Sequence, residues 1–154
     1  MYERIMKSPI NHLRLTANEE ALIKIEFITN NDVTRTEVSN GILDEAEQQL
    51  NEYFSGQRET FELPLYFEGT DFQKKVWAGL MSLPYGTTCS YQDLARQIGS
   101  EKAVRAVGQA NRKNPLPIVI PCHRVIGKNG SMTGYAGSET SKKETLLQLE
   151  KQVY

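Results

Sequence analysis

The chain of 154 residues contains few of the residues that build metal centres and disulfide frameworks. It has two cysteines, Cys89 and Cys122, and two histidines, His12 and His123. Their spacings match no common set of metal ligands, so we expect no metal site. A chain of this length can bury a sizeable apolar core, so its stability does not require disulfides.

Long apolar runs are also absent from the sequence. No stretch approaches the roughly 20 apolar residues that span a bilayer, and the N-terminus lacks the apolar segment of a secretory signal. We therefore expect no membrane partner and a location in the reducing cytoplasm, where free cysteines persist.

Net charge is close to zero, at −1, but the two halves of the chain differ in sign. Residues 1–70 hold 13 acidic and 6 basic side chains, whereas residues 71–154 hold 6 acidic and 12 basic ones. A basic half suggests a polyanionic partner such as a nucleic acid. Scattered, solvated charge without a partner is the alternative interpretation.

The first 65 residues predict a small α+β unit. Apolar and polar residues alternate over His12–Thr16 and Leu22–Ile28, as expected for an antiparallel hairpin with one buried face. Apolar residues then recur at helical spacing from Ile42 to Phe54, and Gly56 follows where a left-handed helix cap is common. The stretch Thr60–Glu68 predicts a connector.

Residues 66–154 predict a mainly helical domain. Two capping boxes mark helix starts: Thr70-x-x-Gln73 and Ser90-x-x-Asp93. The second helix ends at Gly99, and Ser100 is predicted to cap a third helix that runs to about Arg112. Two short helices across a tight turn are typical of a helix-turn-helix, although many helical hairpins share this pattern.

The third of these helices has an unusually smooth predicted surface, because many of its side chains are small. The small residues are Ala103, Ala106, Gly108 and Ala110. Arg105, Gly108 and Arg112 fall roughly along one side, where they would contact DNA if the helix pair binds it. A helix with few large side chains can approach DNA closely, including through the narrow minor groove.

A cysteine and a histidine stand side by side after the apolar run Ile118–Ile120, which predicts a short buried strand. Cys122 lies at the predicted strand exit, and His123 is its neighbour. The thiolate is the nucleophilic form of cysteine, and an adjacent base or positive charge increases its fraction. For an isolated Cys-His pair, the alternative is an inert core cysteine beside a structural histidine.

The last predicted helix carries a carboxylate within its apolar stripe. A capping box, Ser141-x-x-Glu144, marks its start. The residues that recur at helical spacing are Leu146, Leu149, Glu150 and Val153. A carboxylate in this position usually flanks the stripe and reaches water.

The second half of the chain contains a run of short motifs. They are Gly69–Gln73, Val76–Trp77, Pro84–Thr88, Ser90–Tyr91, Leu94–Ala95, Arg105–Gly108, Ala110–Asn111, Asn114–Pro115, Pro121–Val125 and Gly134–Gly137. Together they resemble the motifs of the O6-alkylguanine-DNA alkyltransferases, which repair DNA by direct reversal of damage. The resemblance extends from about Gly69 to Glu150.

This resemblance implies an α+β fold: a small N-terminal antiparallel sheet with a helix, like ribonuclease H, in residues 1–65, and the alkyltransferase and DNA-binding domain in residues 66–154. It implies a methylated-DNA–protein-cysteine S-methyltransferase that moves an alkyl group from guanine O6 in double-stranded DNA to its own cysteine. The thioether product has no good leaving group, so each molecule would act once. A monomer without a cofactor is implied, while activity on O4-alkylthymine stays open.

The resemblance also implies catalytic roles for five residues. Cys122 is the nucleophile, His123 deprotonates it through one water, and Glu150 is the buried partner that stabilises the imidazolium. Tyr91 donates to guanine N3 as the base leaves. Asn114 ties the recognition helix to the active-site strand.

Further residues are implied to bind the damaged nucleotide. Arg105 matches an arginine that fills the stack of bases when that nucleotide is rotated out of the duplex. The Val125 carbonyl accepts a hydrogen bond from the guanine amino group, and the base lies against Tyr135 and the backbone of Ala136.

Three other functions are alternatives. A related sensor that flips alkylated bases without repairing them lacks the cysteine, so Cys122 argues against it. A helix-turn-helix transcription regulator would leave Tyr91, Asn114 and Glu150 unexplained. A cysteine hydrolase would need an oxyanion hole, and no such motif is recognisable.

Overall fold

A computed structural model describes residues 1–28, 40–127 and 140–151 of the chain. The chain divides into two compact units, Met1–Phe67 and Glu68–Tyr154. Among the described residues, no helix has the length and apolar character needed to cross a bilayer.

The first unit is a three-stranded antiparallel sheet with one helix. The strands are β1 (Tyr2–Met6), β2 (His12–Ala17) and β3 (Leu22–Ile28), in the order β1-β2-β3, and the helix is α1 (Gly41–Phe54). The predicted hairpin is confirmed, and its alternation buries Leu13, Leu15 and Ala17 on one face of β2. Strand β1 was not predicted, because its exposed and half-buried residues follow no period of two.

Helix α1 begins and ends as its sequence indicates. The Asn40 side chain accepts a hydrogen bond from the Leu43 amide at 2.9 Å and caps the N-terminus. Two residues beyond the end of the helix, Gly56 adopts a φ of +82°, a conformation that a side chain would strain. Leu43, Ala46, Leu50 and Tyr53 form the buried stripe of α1.

The second unit is mainly helical. Its elements are α2 (Asp71–Met81), β4 (Cys89–Ser90), α3 (Tyr91–Gln97), α4 (Val104–Arg112), a 3-10 turn (Cys122–Arg124), β5 (Val125–Ile126) and α5 (Thr140–Lys151). Strands β4 and β5 pair in parallel, with Cys89 opposite Val125. Helices α2, α3 and α4 pack on one another, and Trp77 of α2 donates from Nε1 to the Ala110 carbonyl of α4 at 2.9 Å.

Two of the three predicted capping boxes of this unit are present, while the predicted start at Ser141 falls inside α5, which begins at Thr140. The Thr70 and Ser90 hydroxyls accept from the amides three residues on, while the Gln73 and Asp93 side chains accept from the amides of the capping residues. The predicted cap at Ser100 is wrong, since α4 begins at Val104 without a side-chain cap. After Gly99, with φ +76°, the chain makes a turn closed by the Ala103 amide and the Ser100 carbonyl at 2.8 Å.

The predicted strand before the cysteine is also wrong. Residues 116–120 form a tight turn in which the Ile120 amide donates to the Leu116 carbonyl at 2.8 Å. Ile118 adopts a φ of +77°, which is unusual for a β-branched residue. The Asn114 side chain holds this turn, donating to the Ile120 carbonyl at 2.7 Å and accepting from the Leu116 amide at 2.9 Å. The apolar run is therefore buried as a turn rather than as a strand.

Candidate active site

Cys122 begins the 3-10 turn that follows Pro121, and its side chain is buried. Burial raises the pKa of the thiol to about 11, against an opposing hydrogen bond from Asn114 and the positive charge of Lys143. The resting cysteine is therefore a thiol at neutral pH, and a base is needed to form the thiolate.

His123 is fully buried, and its Nε2 lies 2.5 Å from Oε2 of Glu150. Because the chain forms a turn after Pro121, Cys122 and His123 do not lie on a strand, and their side chains need not point to opposite faces of a sheet. Burial lowers the pKa of His123; Glu150 opposes that shift, while Arg124 and Lys143 add to it. Among the described residues, Nδ1 of His123 has no hydrogen-bond partner.

Glu150 of α5 is buried and accepts hydrogen bonds at both carboxylate oxygens. Besides His123, its donors are Arg124 through Nε at 3.0 Å and Nη2 at 3.1 Å, and the Gly86 amide at 3.1 Å. Burial alone would raise the pKa of Glu150, but the hydrogen bonds and charges of His123 and Arg124 lower it to about 2. Glu150 therefore lies inside the apolar stripe and does not reach water.

Tyr91 is the first residue of α3 and is half-buried. Burial raises the pKa of its phenol to about 12, and the nearby Cys122 contributes to that rise. Two residues hold the ring: Asn111 forms a hydrogen bond with the side chain, and Lys143 Nζ lies 5.8 Å from the ring centroid. Tyr91 therefore stays protonated at neutral pH and is able to donate.

Lys143 of α5 is buried near both Cys122 and Tyr91. Burial lowers the pKa of its ammonium to about 8, and the charge of Cys122 opposes that shift. A positive charge in this place favours the thiolate over the thiol.

Two asparagines, one in helix α4 and one just after its end, contact the cysteine turn and the turn before it. Asn111, which is buried, has Nδ2 3.5 Å from the Cys122 carbonyl, and Asn114 holds the preceding turn as described above. Val125, also buried, continues from the cysteine turn into β5.

The residues predicted to contact DNA lie on the outer side of α4. Arg105 and Arg112 are exposed, and Gly108 between them is half-buried. A Cβ placed on Gly108 would lie 3.9 Å from the Tyr91 ring, so the smooth part of the helix adjoins the tyrosine.

The structure thus brings Cys122, His123, Glu150, Tyr91 and Asn114 into one region of the second unit. Tyr135 and Ala136, predicted to contact the base, lie outside the described residues. Sequence analysis missed the roles of Arg124, Lys143, Gly86 and Asn111 in this site. Arg124 lies within the motif Pro121–Val125, but its burial, like that of Lys143, depends on how α5 packs. Among the described residues, no group of three or more acidic, histidine or cysteine residues could hold a metal ion.

Comparison with known proteins places both units. Residues 71–152 match the family model described as 6-O-methylguanine DNA methyltransferase, DNA binding domain, and residues 1–67 match the ribonuclease-like domain of the same enzyme. The chain belongs to the 6-O-methylguanine DNA methyltransferase family. The family and the α+β fold class predicted from the sequence are confirmed.

Relatives match over nearly the full length of the chain. The constitutive methylated-DNA–protein-cysteine methyltransferase of Bacillus subtilis is 48% identical, covering 99% of this chain and 97% of that protein. The methylated-DNA–protein-cysteine methyltransferase of Methanosarcina barkeri is 47% identical, covering 97% of each chain. The crystal structure of Mycobacterium tuberculosis OGT in complex with DNA is 42% identical, with a TM-score of 0.87 over 99% of this chain and 94% of that one.

Proposed function

We propose that this chain repairs O6-alkylguanine in double-stranded DNA by moving the alkyl group irreversibly onto Cys122. The observation that carries the proposal is the buried Cys122 beside a His123–Glu150 pair, in a chain 48% identical to a methylated-DNA–protein-cysteine methyltransferase. In the reaction the sulfur–carbon bond forms as the carbon–oxygen bond to guanine breaks. No bound cofactor is required, because the thiolate displaces the base directly.

His123 is the base in this proposal. Its Nδ1 is available to a water that bridges to the Cys122 thiol, and the proton of the thiol passes through that water to Nδ1. Glu150, already bonded to Nε2, stabilises the imidazolium that forms. Lys143 adds a positive charge that favours the thiolate. Because burial keeps the resting thiol protonated, the nucleophile forms at the moment of reaction.

Tyr91 assists the departure of the base. Guanine leaves as an anion unless N3 is protonated or strongly hydrogen-bonded, and a positioned acid typically contributes about a hundredfold or more. The pKa of Tyr91, raised to about 12, keeps its proton on the phenol until N3 becomes basic enough to accept it. The transfer leaves His123 as the imidazolium and Tyr91 as the phenolate, and a proton passed from the first to the second through solvent restores both groups.

DNA binds along α4, and the damaged nucleotide leaves the duplex. The alkyl carbon of a stacked base cannot reach a buried thiol, and extrusion costs a few kcal/mol, least for a weakly paired lesion. Arg105, exposed on α4, fills the stack, Gly108 lets the helix approach the minor groove, and Arg112 contacts the phosphate backbone. The Val125 carbonyl, with Tyr135 and Ala136, contacts the extruded base. Contacts between the basic side chains of a helix and the DNA phosphates do not depend on base sequence, so they suit a protein that searches DNA for damaged bases.

The product is a thioether, so each protein molecule acts once. The proposal further takes the protein to be a monomer in the cytoplasm. Both of its cysteines are free, as a reducing location requires. O4-alkylthymine presents the same displaceable oxygen, and we include it as a second substrate to be tested.

Intact-protein mass measurement tests the proposal. After incubation with duplex DNA that carries O6-methylguanine, the wild-type chain should gain one methyl group per molecule. Cys122→Ala should gain none and still bind the DNA, whereas the matched Cys89→Ser should gain one. Methylation of Cys122→Ala, or an unmodified wild type, would refute the assignment.

A further inference from the structure

Arg124, the third residue of the cysteine turn, is buried and held on several sides. Its Nε and Nη2 bind the two oxygens of Glu150, and its Nη1 donates to the Leu83 carbonyl at 2.8 Å. Its guanidinium carbon lies 5.5 Å from the centre of the Tyr85 ring. A planar guanidinium held in this way fixes the position of the Glu150 carboxylate.

The donors around Glu150 determine which nitrogen of His123 carries hydrogen. An arginine and a backbone amide can only donate, so the carboxylate they share is ionised and acts as an acceptor. Nε2 of His123, 2.5 Å from Oε2, must therefore be the protonated nitrogen of the neutral ring. The lone pair is left on Nδ1, the atom without a protein partner among the described residues.

Charge balance determines whether His123 is neutral. A buried carboxylate by itself favours the imidazolium, which has no lone pair and cannot take a proton from a thiol. Arg124 cancels the charge of Glu150, and Lys143 further disfavours a second cation. These three groups come from α5 and from the turn itself. Helix α2 also packs against the turn, and its charged residues, Asp71, Lys74 and Lys75, are exposed.

We propose that Arg124 is a positioning residue that keeps His123 a neutral base with its lone pair on Nδ1. The proposal rests on the alkyl transfer proposed above and explains how the base is ready before the substrate arrives. When the S–H bond of Cys122 breaks, the N–H bond forms on Nδ1 through the bridging water. The new imidazolium then keeps its contact with Glu150.

Nuclear magnetic resonance of the wild-type chain tests the tautomer without any variant. The chain has two histidines, so ¹⁵N-labelled protein gives two imidazole patterns, and His12→Gln identifies them. Long-range ¹H–¹⁵N correlation should show His123 neutral, with hydrogen on Nε2, at neutral pH. Hydrogen on Nδ1, or an imidazolium, would overturn the proposal.

Two substitutions separate the charge of Arg124 from its shape. Arg124→Met removes the charge, and the pKa of His123 should rise by about one to three units, the usual effect of an uncompensated nearby carboxylate. The single-turnover rate should fall about tenfold for each unit at low pH and recover as the pH passes the new pKa. Arg124→Lys keeps the charge without the fork, so the rate should fall without a shift of the pH profile.

A matched control is Arg58→Met, which removes an arginine bonded to Glu52 at 2.8 Å in the other unit. Neither the rate profile nor the His123 titration should change in that variant. An unchanged His123 titration in a folded Arg124→Met protein would overturn the proposal. If a thermal melt shows that Arg124→Met is unfolded, the wild-type tautomer and Arg124→Lys decide. A wild type that takes up no methyl group would refute the proposed function, whereas the histidine signals would still test Arg124.

Discussion

Replacing Glu150 by glutamine should cost far more stability than a surface substitution. The carboxylate accepts from His123, from two nitrogens of Arg124 and from the Gly86 amide, all within 3.1 Å. Glutamine has nearly the same shape but no charge, so the Arg124 guanidinium would remain buried without its counterion. An uncompensated buried charge is one of the few causes of large single-site effects.

Two physical arguments give a similar loss in the free energy of unfolding. Breaking one side of a buried ion pair costs about 3–5 kcal/mol. The pKa of Glu150, lowered from 4.5 to about 2, corresponds to roughly 3 kcal/mol at neutral pH. For a chain of this size, that loss lowers the melting temperature by roughly 6–12 °C.

The pH dependence of this difference is the sharper test. A carboxyl group with a lowered pKa stabilises the folded state above its unfolded pKa, and the contribution is lost as the pH falls through about 2. Urea unfolding of wild type and Glu150→Gln should therefore differ most at neutral pH, and the gap should narrow below about pH 4.5. Glu144→Gln, an exposed change on the same helix, should stay within about 0.5 kcal/mol of wild type at neutral pH.

A neutral-pH difference in the free energy of unfolding below about 1 kcal/mol, the range of exposed ion pairs, would exclude a large contribution from the buried charge of Glu150. A large difference that does not change with pH would also count against it, because the loss would then come from packing and not from the charge of Glu150.

Three further predictions concern the reaction and the DNA. Lys143→Met should slow single-turnover methyl transfer at neutral pH, and the gap to wild type should close above about pH 8, where the lysine itself loses its proton; a constant gap would mean that its charge does not act on the thiol. Arg105→Ala should slow repair in duplex DNA far more than reaction with a free alkylated base, and equal losses would exclude a role in extrusion. Binding should weaken linearly in log salt, with a slope that Arg112→Ala makes shallower by about one, and an unchanged slope would exclude a phosphate contact.

The sequence predicts local structure well where one residue type determines it. The boxes at Thr70 and Ser90 and the glycine after α1 are short-range features, and all are found. The start of α4 was misplaced because Ser100 has the composition of a cap, whereas the Gly99 turn directs the backbone elsewhere. The turn at Ile118 was also missed, because its β-branched neighbours favour a strand. A hydrogen bond from the Asn114 side chain stabilises a turn there instead.

The site divides in a similar way. The motif around Cys122 is contiguous, so the family resemblance could assign it a proposed chemistry from the sequence. Arg124 and Lys143 look like ordinary surface cations until α5 packs against the turn and both become buried. Burial of a charge depends on tertiary contacts, and these are not encoded in residue spacing.

The parallel pairing of β4 with β5 has a consequence for insertions. Tyr91 directly follows β4, and Cys122 precedes β5 by three residues, so one pair of short strands sets the distance between the proposed proton donor and the proposed nucleophile. An added residue at Thr87–Thr88 would lengthen the loop before β4 and leave the distance between Tyr91 and Cys122 unchanged. An added residue between Ser90 and Tyr91 would shift Tyr91 by one position on its helix. Tyr91 and Cys122 would then no longer reach the same guanine.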